Sequence, residues 1–202
     1  MKKILCAVIM ILCMAFMSGC AQKMDADTNT VFVDKKGKII SVDVEALDRE
    51  YYDVEELEAY IENHLKEYTE ANGETVEKMS FEVKDGKAKL KMSYDSWEDY
   101  TGFNGIEMYT GTVVKAQAEG YDFDTDFYSV ADSGEQNTAG KEEVLSDDDS
   151  KVAIIKANVN IKVPGRVLFV SEKNTKVTES DTVSITGEGS NEEAELTYII
   201  YK

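Results

Sequence analysis

The sequence predicts an α+β fold, with antiparallel sheets, one main amphipathic helix, short helices and an all-β meander in the C-terminal part. Three observations predict it. In the segment 53–72 apolar residues recur every three or four positions, as on one face of a helix. Two pairs of short β-type segments flank tight-turn sequences, which is typical of hairpins. After residue 150 apolar and polar residues alternate without a helical crossover, which favours antiparallel pairing.

Composition limits the partners of the chain. Its 202 residues include 40 acidic and 22 basic side chains, a formal charge of −18, and 43% of them are hydrophobic. A core can therefore form. The negative charge repels phosphate, so we expect no nucleic-acid partner.

The N-terminus predicts export. Lys2 and Lys3 precede an uncharged apolar run, Ile4 to Met17. As a helix this run would reach about 21 Å, less than the roughly 30 Å of a bilayer's hydrocarbon core. Residues 1–19 therefore form a signal peptide and not a membrane span.

Met17-Ser18-Gly19-Cys20 resembles the lipobox of bacterial lipoproteins, with Met where Leu is usual. This resemblance implies cleavage before Cys20 and a covalent diacylglycerol lipid on its sulfur. The alternative is an ordinary signal peptide cut nearby. Cys6 and Cys13 leave with the signal, so no disulfide can form within the mature chain. Its 183 residues would carry a formal charge of −20, since two lysines and no acid are lost.

The expected location is the outer face of the cell membrane, with the lipid as anchor. Residues 20–29 are predicted to form a tether between the lipid anchor and the folded part of the chain. The α+β region, 30–130, begins with strands at 31–33 and 39–44, joined through Asp34-Lys35-Lys36-Gly37.

The main helix is predicted to begin after Asp53 as N-cap, with Glu56 as reciprocal partner, and to end at Asn72-Gly73. His64 lies on it and is interpreted as a packing residue at the edge of the apolar face. The alternative is a catalytic base. The predicted apolar face comprises Val54, Leu57, Ile61, Leu65 and Tyr68.

A second hairpin, 76–83 with 88–94, is predicted around Asp85-Gly86. A short helix at 96–101 follows, broken by Gly102 and Gly105. The segment 111–120 is either a helix capped by Thr112 and stopped by Gly120, or a strand. Its Ala, Lys, Gln and Glu residues favour the helix.

Residues 131–150 are predicted to form a mobile acidic loop, because apolar side chains are almost absent. In the β-rich region, 151–202, alternation predicts one long strand at 153–163 and a turn at Pro164-Gly165. The remaining predicted strands are 167–170, 182–186 and 194–201. Whether the β-rich region belongs to the same domain as 30–130 stays open.

Several short motifs together resemble a group of uncharacterised lipoproteins from Clostridia-type Gram-positive bacteria. This resemblance covers most of the mature chain and implies location but no activity. The motifs are Tyr51-Tyr52-Asp53, Phe103-Asn104, Gly111-Thr112, Gly120-Tyr121 and Pro164-Gly165.

The sequence lacks a GxSxG nucleophile elbow, a phosphate-binding loop, HExxH and a dinucleotide fingerprint. We therefore expect no enzyme and no cofactor besides the lipid. Asp122, Asp124 and Asp126 have the spacing of a calcium loop, but Phe127 and Ser133 replace its Gly and Glu. A strand with one solvated face explains the spacing as well. Asp147-Asp148-Asp149 is interpreted as a solvated charge run, with non-specific cation attraction as the alternative.

Tyr94, Trp97, Tyr100 and Phe103 recur every three residues. Exposed on a short helix they would form a binding surface for sugars or peptides. The alternative is core packing of that helix on a sheet.

Three function classes remain. The favoured one is a lipid-anchored extracytoplasmic binding module of unknown ligand, since catalytic signatures are absent. The second is an envelope accessory protein that contacts another membrane or wall protein. The third is a hydrolase that uses paired carboxylates.

Overall fold

The computed structural model describes residues 24–49, 52–147, 149–187 and 194–202. The predicted signal peptide, Cys20 and the first part of the tether lie outside the described residues. Within those ranges the helices are α1 Val54–Asn72, α2 Trp97–Asn104, α3 Val113–Ala118 and α4 Lys141–Val144. The strands are β1 Thr30–Val33, β2 Ile39–Ala46, β3 Val76–Lys84, β4 Lys87–Tyr94, β5 Met108–Thr112, β6 Phe127–Val130, β7 Gln136–Ala139, β8 Lys151–Ile155, β9 Asn160–Lys162, β10 Val167–Ser171, β11 Thr175–Glu179, β12 Thr182–Ile185 and β13 Thr197–Tyr201.

The described strands form two sheets. Sheet A has the order β11-β12-β9-β1-β2-β4-β3, and sheet B has the order β5-β8-β13-β10-β6-β7. All neighbours run antiparallel except β1 and β9, which pair in parallel with Val31 opposite Ile161. The predicted α+β class with antiparallel sheets, one main helix and a strand-rich C-terminal part is confirmed. The predicted C-terminal meander is wrong, because the strands after residue 150 are divided between the two sheets and only β11 and β12 are consecutive neighbours. Each sheet combines strands from before and after residue 150, so the two regions share their sheets.

The main core lies between the two sheets. In β1, Val31 and Val33 point into it, whereas Phe32 points to the opposite face of sheet A. Sheet B contributes inward side chains such as Ile155 and Ile199, both fully buried. This alternation follows from the two-residue period of a strand. Burying such side chains stabilises the fold by roughly 25 cal/mol per Å² of apolar surface removed from water.

The outer face of sheet B is apolar as well, and short elements cover it. Three parts of the chain pack there against sheet residues such as Ile154. They are α3 with Val113 and Ala116, the segment before β6 with Phe123, and α4 with Val144. Sheet B is therefore buried on both faces. Over the described ranges, none of the helices combines the length and apolar character needed to cross a bilayer.

The main helix begins and ends where the sequence predicts. Asp53 Oδ1 accepts the backbone N–H groups of Glu55 and Glu56 at 2.8 and 3.1 Å. Gly73 ends the helix with φ of +89°. Val54 is exposed, so the inward face begins at Leu57 rather than at the first helical residue.

The turn at Asp85-Gly86 has the expected positive φ angles, +51° and +73°. The short helix differs from the prediction, because α2 continues through Gly102 to Asn104. The ring of Tyr68 lies so close to Gly102 that a β-carbon there would meet its hydroxyl at 2.9 Å. Gly102 therefore gives a neighbouring side chain room and does not end the helix.

The segment 111–120 combines both alternatives. Gly111 and Thr112 complete β5, and the helix α3 follows with Thr112 as N-cap. Its Oγ1 accepts the N–H of Lys115 at 3.3 Å. The β-branched Val113 tolerates the helix because its side chain is buried, with 1% exposed.

The long strand predicted at 153–163 is wrong. β8 ends at Ile155 in sheet B, and β9 begins at Asn160 in sheet A. Alternation continues across the break because both strands face the same core, to which Ala153, Ile155 and Ile161 contribute. A pattern of inward and outward residues cannot show to which sheet each part belongs.

The structure also corrects the prediction that 131–150 is one mobile loop without regular structure. Residues 136–139 form β7, which pairs with β6, and α4 buries Val144 to 1% exposure. Backbone hydrogen bonds to β6 need no apolar side chains, and Ala139 and Val144 anchor the segment in the outer core of sheet B. Residues 131–135 form the exposed turn between β6 and β7. Asp147 forms an ion pair with Lys202, so it is not merely solvated.

Candidate functional site

An open cleft of about 620 Å³ lies at β5, the edge strand of sheet B. The β1–β2 turn, the start of α2, the helix α3 and the start of β8 surround it. Its volume is in the range of about 300–1,000 Å³ typical of small-ligand sites. The residues that line it include Asp34, Lys35, Lys36, Trp97, Glu98, Tyr109, Gly111, Thr112, Lys115, Glu119, Lys151 and Tyr201.

Tyr109 forms an aromatic wall of the cleft. Its ring folds over Gly111, two residues along the same face of β5, where a β-carbon would collide with the Tyr109 ring and hydroxyl. The ring centroids of Trp97 and Tyr121 lie 5.2 and 5.3 Å from that of Tyr109. Burial, and to a smaller degree the carboxylate of Glu119, raises the pKa of Tyr109 above its usual value.

Trp97, the first residue of α2, is half-buried and contacts both cores. The start of α2 is fixed by a set of hydrogen bonds centred on Asp99. The Asp99 carboxylate accepts the hydroxyls of Ser96 at 2.7 Å, Thr75 at 2.6 Å and Tyr68 at 3.3 Å. Ser96 in turn caps the N–H of Asp99 at 3.2 Å. These contacts join α2 to α1 and to the start of β3, so the position of Trp97 is set by the scaffold.

The other end of α2 is held by α1 and β4. His64 Nε2 donates to the carbonyl oxygen of Phe103 at 3.0 Å, and the two rings pack with centroids 4.5 Å apart. The hydroxyl of Tyr94 lies 3.4 Å from Asn104 Oδ1. His64 is half-buried and outside the cleft, an arrangement that suits packing at the helix boundary.

The four aromatic residues named as a candidate binding surface do not form one, and the alternative, core packing, holds for Tyr94 and Tyr100. Tyr94 is 0% and Tyr100 is 4% exposed, and their rings pack edge to face at 5.1 Å within the main core. Phe103 is half-buried against α1, and only Trp97 reaches the cleft. The spacing is misleading because Tyr94 belongs to the strand β4 and not to the helix. Within α2 each step of three residues is offset by about 60°, which adds up to about 120° between Trp97 and Phe103.

Asp122, Asp124 and Asp126 are exposed, in an irregular segment before β6 and not in a strand. Asp122 Oδ1 accepts the N–H of Asp124 at 3.0 Å. Phe123 turns fully into the outer core with φ of +55°, a strained angle for a large side chain. In the parts of the chain that are described, no three His, Cys, Asp or Glu side chains are grouped to hold a metal ion.

The lysines that line the cleft have no counterpart among the sequence-predicted site residues. They come from three segments, with Lys35 and Lys36 before β2, Lys115 in α3 and Lys151 at the start of β8. Folding brings them together, since β5 pairs Thr112 with Lys151 and the chain turns directly into α3. Separate lysines at ordinary spacing give no local signal that sequence reasoning could use.

Comparison with known proteins found no matching family model, no matching curated protein and no matching solved structure. The resemblance to Clostridia-type lipoproteins therefore remains an expectation.

Proposed function

We propose that this protein is a membrane-anchored extracytoplasmic lipoprotein that binds a ligand in the cleft at β5 and does not turn it over. The observation that carries the binding function is the cleft itself, lined by the half-buried Trp97 at a helix start that hydrogen bonds to Asp99 hold in place. A site formed before the ligand arrives loses less conformational entropy on binding. The lipobox at Cys20 supports the anchor and the location.

The absence of recognised catalytic motifs in the sequence supports binding without turnover. The acidic side chains of the cleft are Asp34, Glu98 and Glu119. Asp34 Oδ1 accepts the backbone N–H groups of Lys36 and Lys38 at 2.6 and 2.9 Å, so its role is to close the β1–β2 turn. A carboxylate-dependent hydrolase would show turnover that a single Glu98→Gln or Glu119→Gln substitution abolishes.

The binding function can be tested with fractionated envelope material. The purified chain is mixed separately with the protein, glycan and small-molecule fractions, and bound material is identified by mass spectrometry. We expect capture from the glycan or small-molecule fraction that Trp97→Ala abolishes and Tyr60→Ala leaves intact. Tyr60 is the matched control, because it is 67% exposed on α1 and outside the cleft. Capture of a protein alone would favour the accessory-protein function instead.

The anchor is tested independently. The substitution Cys20→Ala removes the sulfur that would carry the diacylglycerol. We expect the variant to move from the detergent phase to the aqueous phase and to lack the mass of the lipid. Unchanged partitioning would contradict lipidation at this residue.

A further inference from the structure

The cleft has a charge opposite to that of the chain as a whole. Four lysines and three acidic residues line it, a formal +1, whereas the whole chain carries −18. All four lysine side chains are exposed. An inversion of sign inside a concave site concentrates the positive field where a ligand would lie.

Several lysines elsewhere are neutralised by neighbouring acids, although others, such as Lys141 and Lys176, form no ion pair with the described residues. Lys89 lies 2.9 and 3.5 Å from the carboxylates of Asp25 and Asp27, and Lys162 pairs in the same way with Glu179 and Asp181 at 3.0 and 3.1 Å. Lys78 contacts both Glu58 and Glu62. With almost twice as many acids as bases, partners are abundant in this chain.

The cleft lysines differ from these. Over the described part of the chain, Lys35, Lys36, Lys115 and Lys151 have no carboxylate within ion-pair distance. Glu119 lies one helical turn from Lys115 and still forms no ion pair with it. The ammonium groups are therefore free to contact a ligand.

The aromatic side chain beside these lysines completes the chemistry. Trp97 is half-buried and lines the cleft, and an indole is a surface on which the apolar face of a ring or sugar can pack. Lysine is a flexible point charge that suits carboxylate or phosphate oxygens without demanding one planar geometry. Both features occur within one cleft of about 620 Å³.

We propose that the cleft at β5 binds an organic anion, whose carboxylate or phosphate lies among Lys35, Lys36, Lys115 and Lys151 and whose carbon skeleton packs on Trp97. This inference rests on the proposed binding function and names the chemical class of its ligand. Carboxylates and phosphates share the recognising chemistry, and the experiment separates them.

Trp97 is the sole tryptophan of the chain, so intrinsic fluorescence reports directly on the cleft. The purified full chain is titrated with trigalacturonate as the carboxylate probe, glucose 6-phosphate as the phosphate probe and maltotriose as the uncharged control, with calorimetry as the second measurement. We expect a saturable response to at least one anion and none to maltotriose. The apparent Kd should rise with added salt, because screening weakens charge attraction.

Paired variants test the lysines. Lys115→Gln with Lys151→Gln should raise the apparent Kd about tenfold or more, equivalent to about 1.4 kcal/mol. The matched control, Lys141→Gln with Lys176→Gln, removes the same charge from exposed lysines outside the cleft and should leave the Kd within about twofold. Lys115→Arg with Lys151→Arg keeps the charge and should restore most of the affinity.

The inference would be overturned by the lack of a saturable response to either anion, by an equal response to maltotriose, or by equal losses in the two glutamine pairs. Circular dichroism shows whether each variant is folded, and the arginine pair provides a second comparison if a glutamine pair is not. Binding of a neutral ligand that needs Trp97 but neither lysine would overturn the anion class and leave the proposed binding function standing.

Discussion

Three buried tyrosines make the folded state sensitive to alkaline pH. Tyr94, Tyr100 and Tyr201 are 0%, 4% and 4% exposed. Burial raises the pKa of Tyr94 and of Tyr201 to about 12, and it raises that of Tyr100 further. In the unfolded chain these phenols would ionise near their usual pKa of about 10.

The sign follows from proton linkage. Between about pH 10 and pH 12 the folded state keeps a proton that the unfolded state has lost, so stability falls as pH rises. One pKa unit corresponds to about 1.4 kcal/mol, and each tyrosine therefore costs about 1.4 kcal/mol at pH 11 relative to pH 9. Together the three cost about 4 kcal/mol, a large part of a typical total of about 5–15 kcal/mol.

Urea melts at about pH 9 and about pH 11 measure this loss. We expect Tyr201→Phe, which keeps the ring and removes the ionisable hydroxyl, to lose about 1.4 kcal/mol less than the unsubstituted chain over this interval. Tyr94→Phe should show the same reduction, although it also removes the 3.3 Å contact with Ser41 Oγ and so begins from lower stability. Tyr60→Phe is the exposed control and should behave as the unsubstituted chain does.

Comparison of the variants separates these phenols from lysines that titrate in the same range. Equal stability at the two pH values, or the full loss of stability in Tyr201→Phe, would contradict this prediction. Either result would mean that the buried phenols reach water in the folded state.

Three further predictions concern stability and exposure. Asp53→Ala should lower the free energy of unfolding by about 1 kcal/mol, while Asp53→Asn, which can still accept a cap bond, should lose less in parallel urea melts. Gly165→Ala should lower the free energy of unfolding by about 1–3 kcal/mol in thermal melts, because its β-carbon would collide with the backbone of Lys202. In the control Gly140→Ala the β-carbon meets nothing within 4 Å, and an equal loss there would contradict the steric explanation. Within 131–150, limited proteolysis should cut the exposed turn 131–135 before the paired segment 136–145, and the reverse order would mean that β7 is not stably paired.

Local signals predicted most elements of the fold correctly. The cap at Asp53, the turn at Asp85-Gly86 and the cap at Thr112 depend on neighbouring residues alone, so the sequence is enough to place them. The predicted core face of α1 is confirmed from Leu57 onward, since periodicity reports burial directly.

The predictions that are wrong concern strands whose partners lie far away in the sequence. The alternation through 153–163 is real, but one core buries both β8 and β9, and the pattern holds no information on the change of sheet. The polar segment at 136–139 forms a strand because it pairs with the backbone of β6. The composition of the segment does not indicate this partner. The strand β11 was not predicted from the sequence.

For the candidate site, the sequence drew attention to Trp97 and, with it, to three aromatic side chains that lie away from the cleft. The cleft lysines were not identified, because they are separated by up to 116 positions between Lys35 and Lys151. Their proximity depends on β5 pairing with β8 and on α3 following β5 directly.

The sequence by itself determined the fold class, the positions of the main helix and the hairpins, and the prediction of an exported, lipid-anchored chain. These properties depend on composition, on periodicity and on a few adjacent residues. Only the tertiary structure decided that both regions share two sheets, that Tyr94 and Tyr100 belong to the core, and that a positive cleft opens on an acidic protein. The physical reason is that burial and the local electric field depend on which distant segments meet. Strand pairing brings those segments together, and the residues of one strand do not specify which distant strand will pair with it.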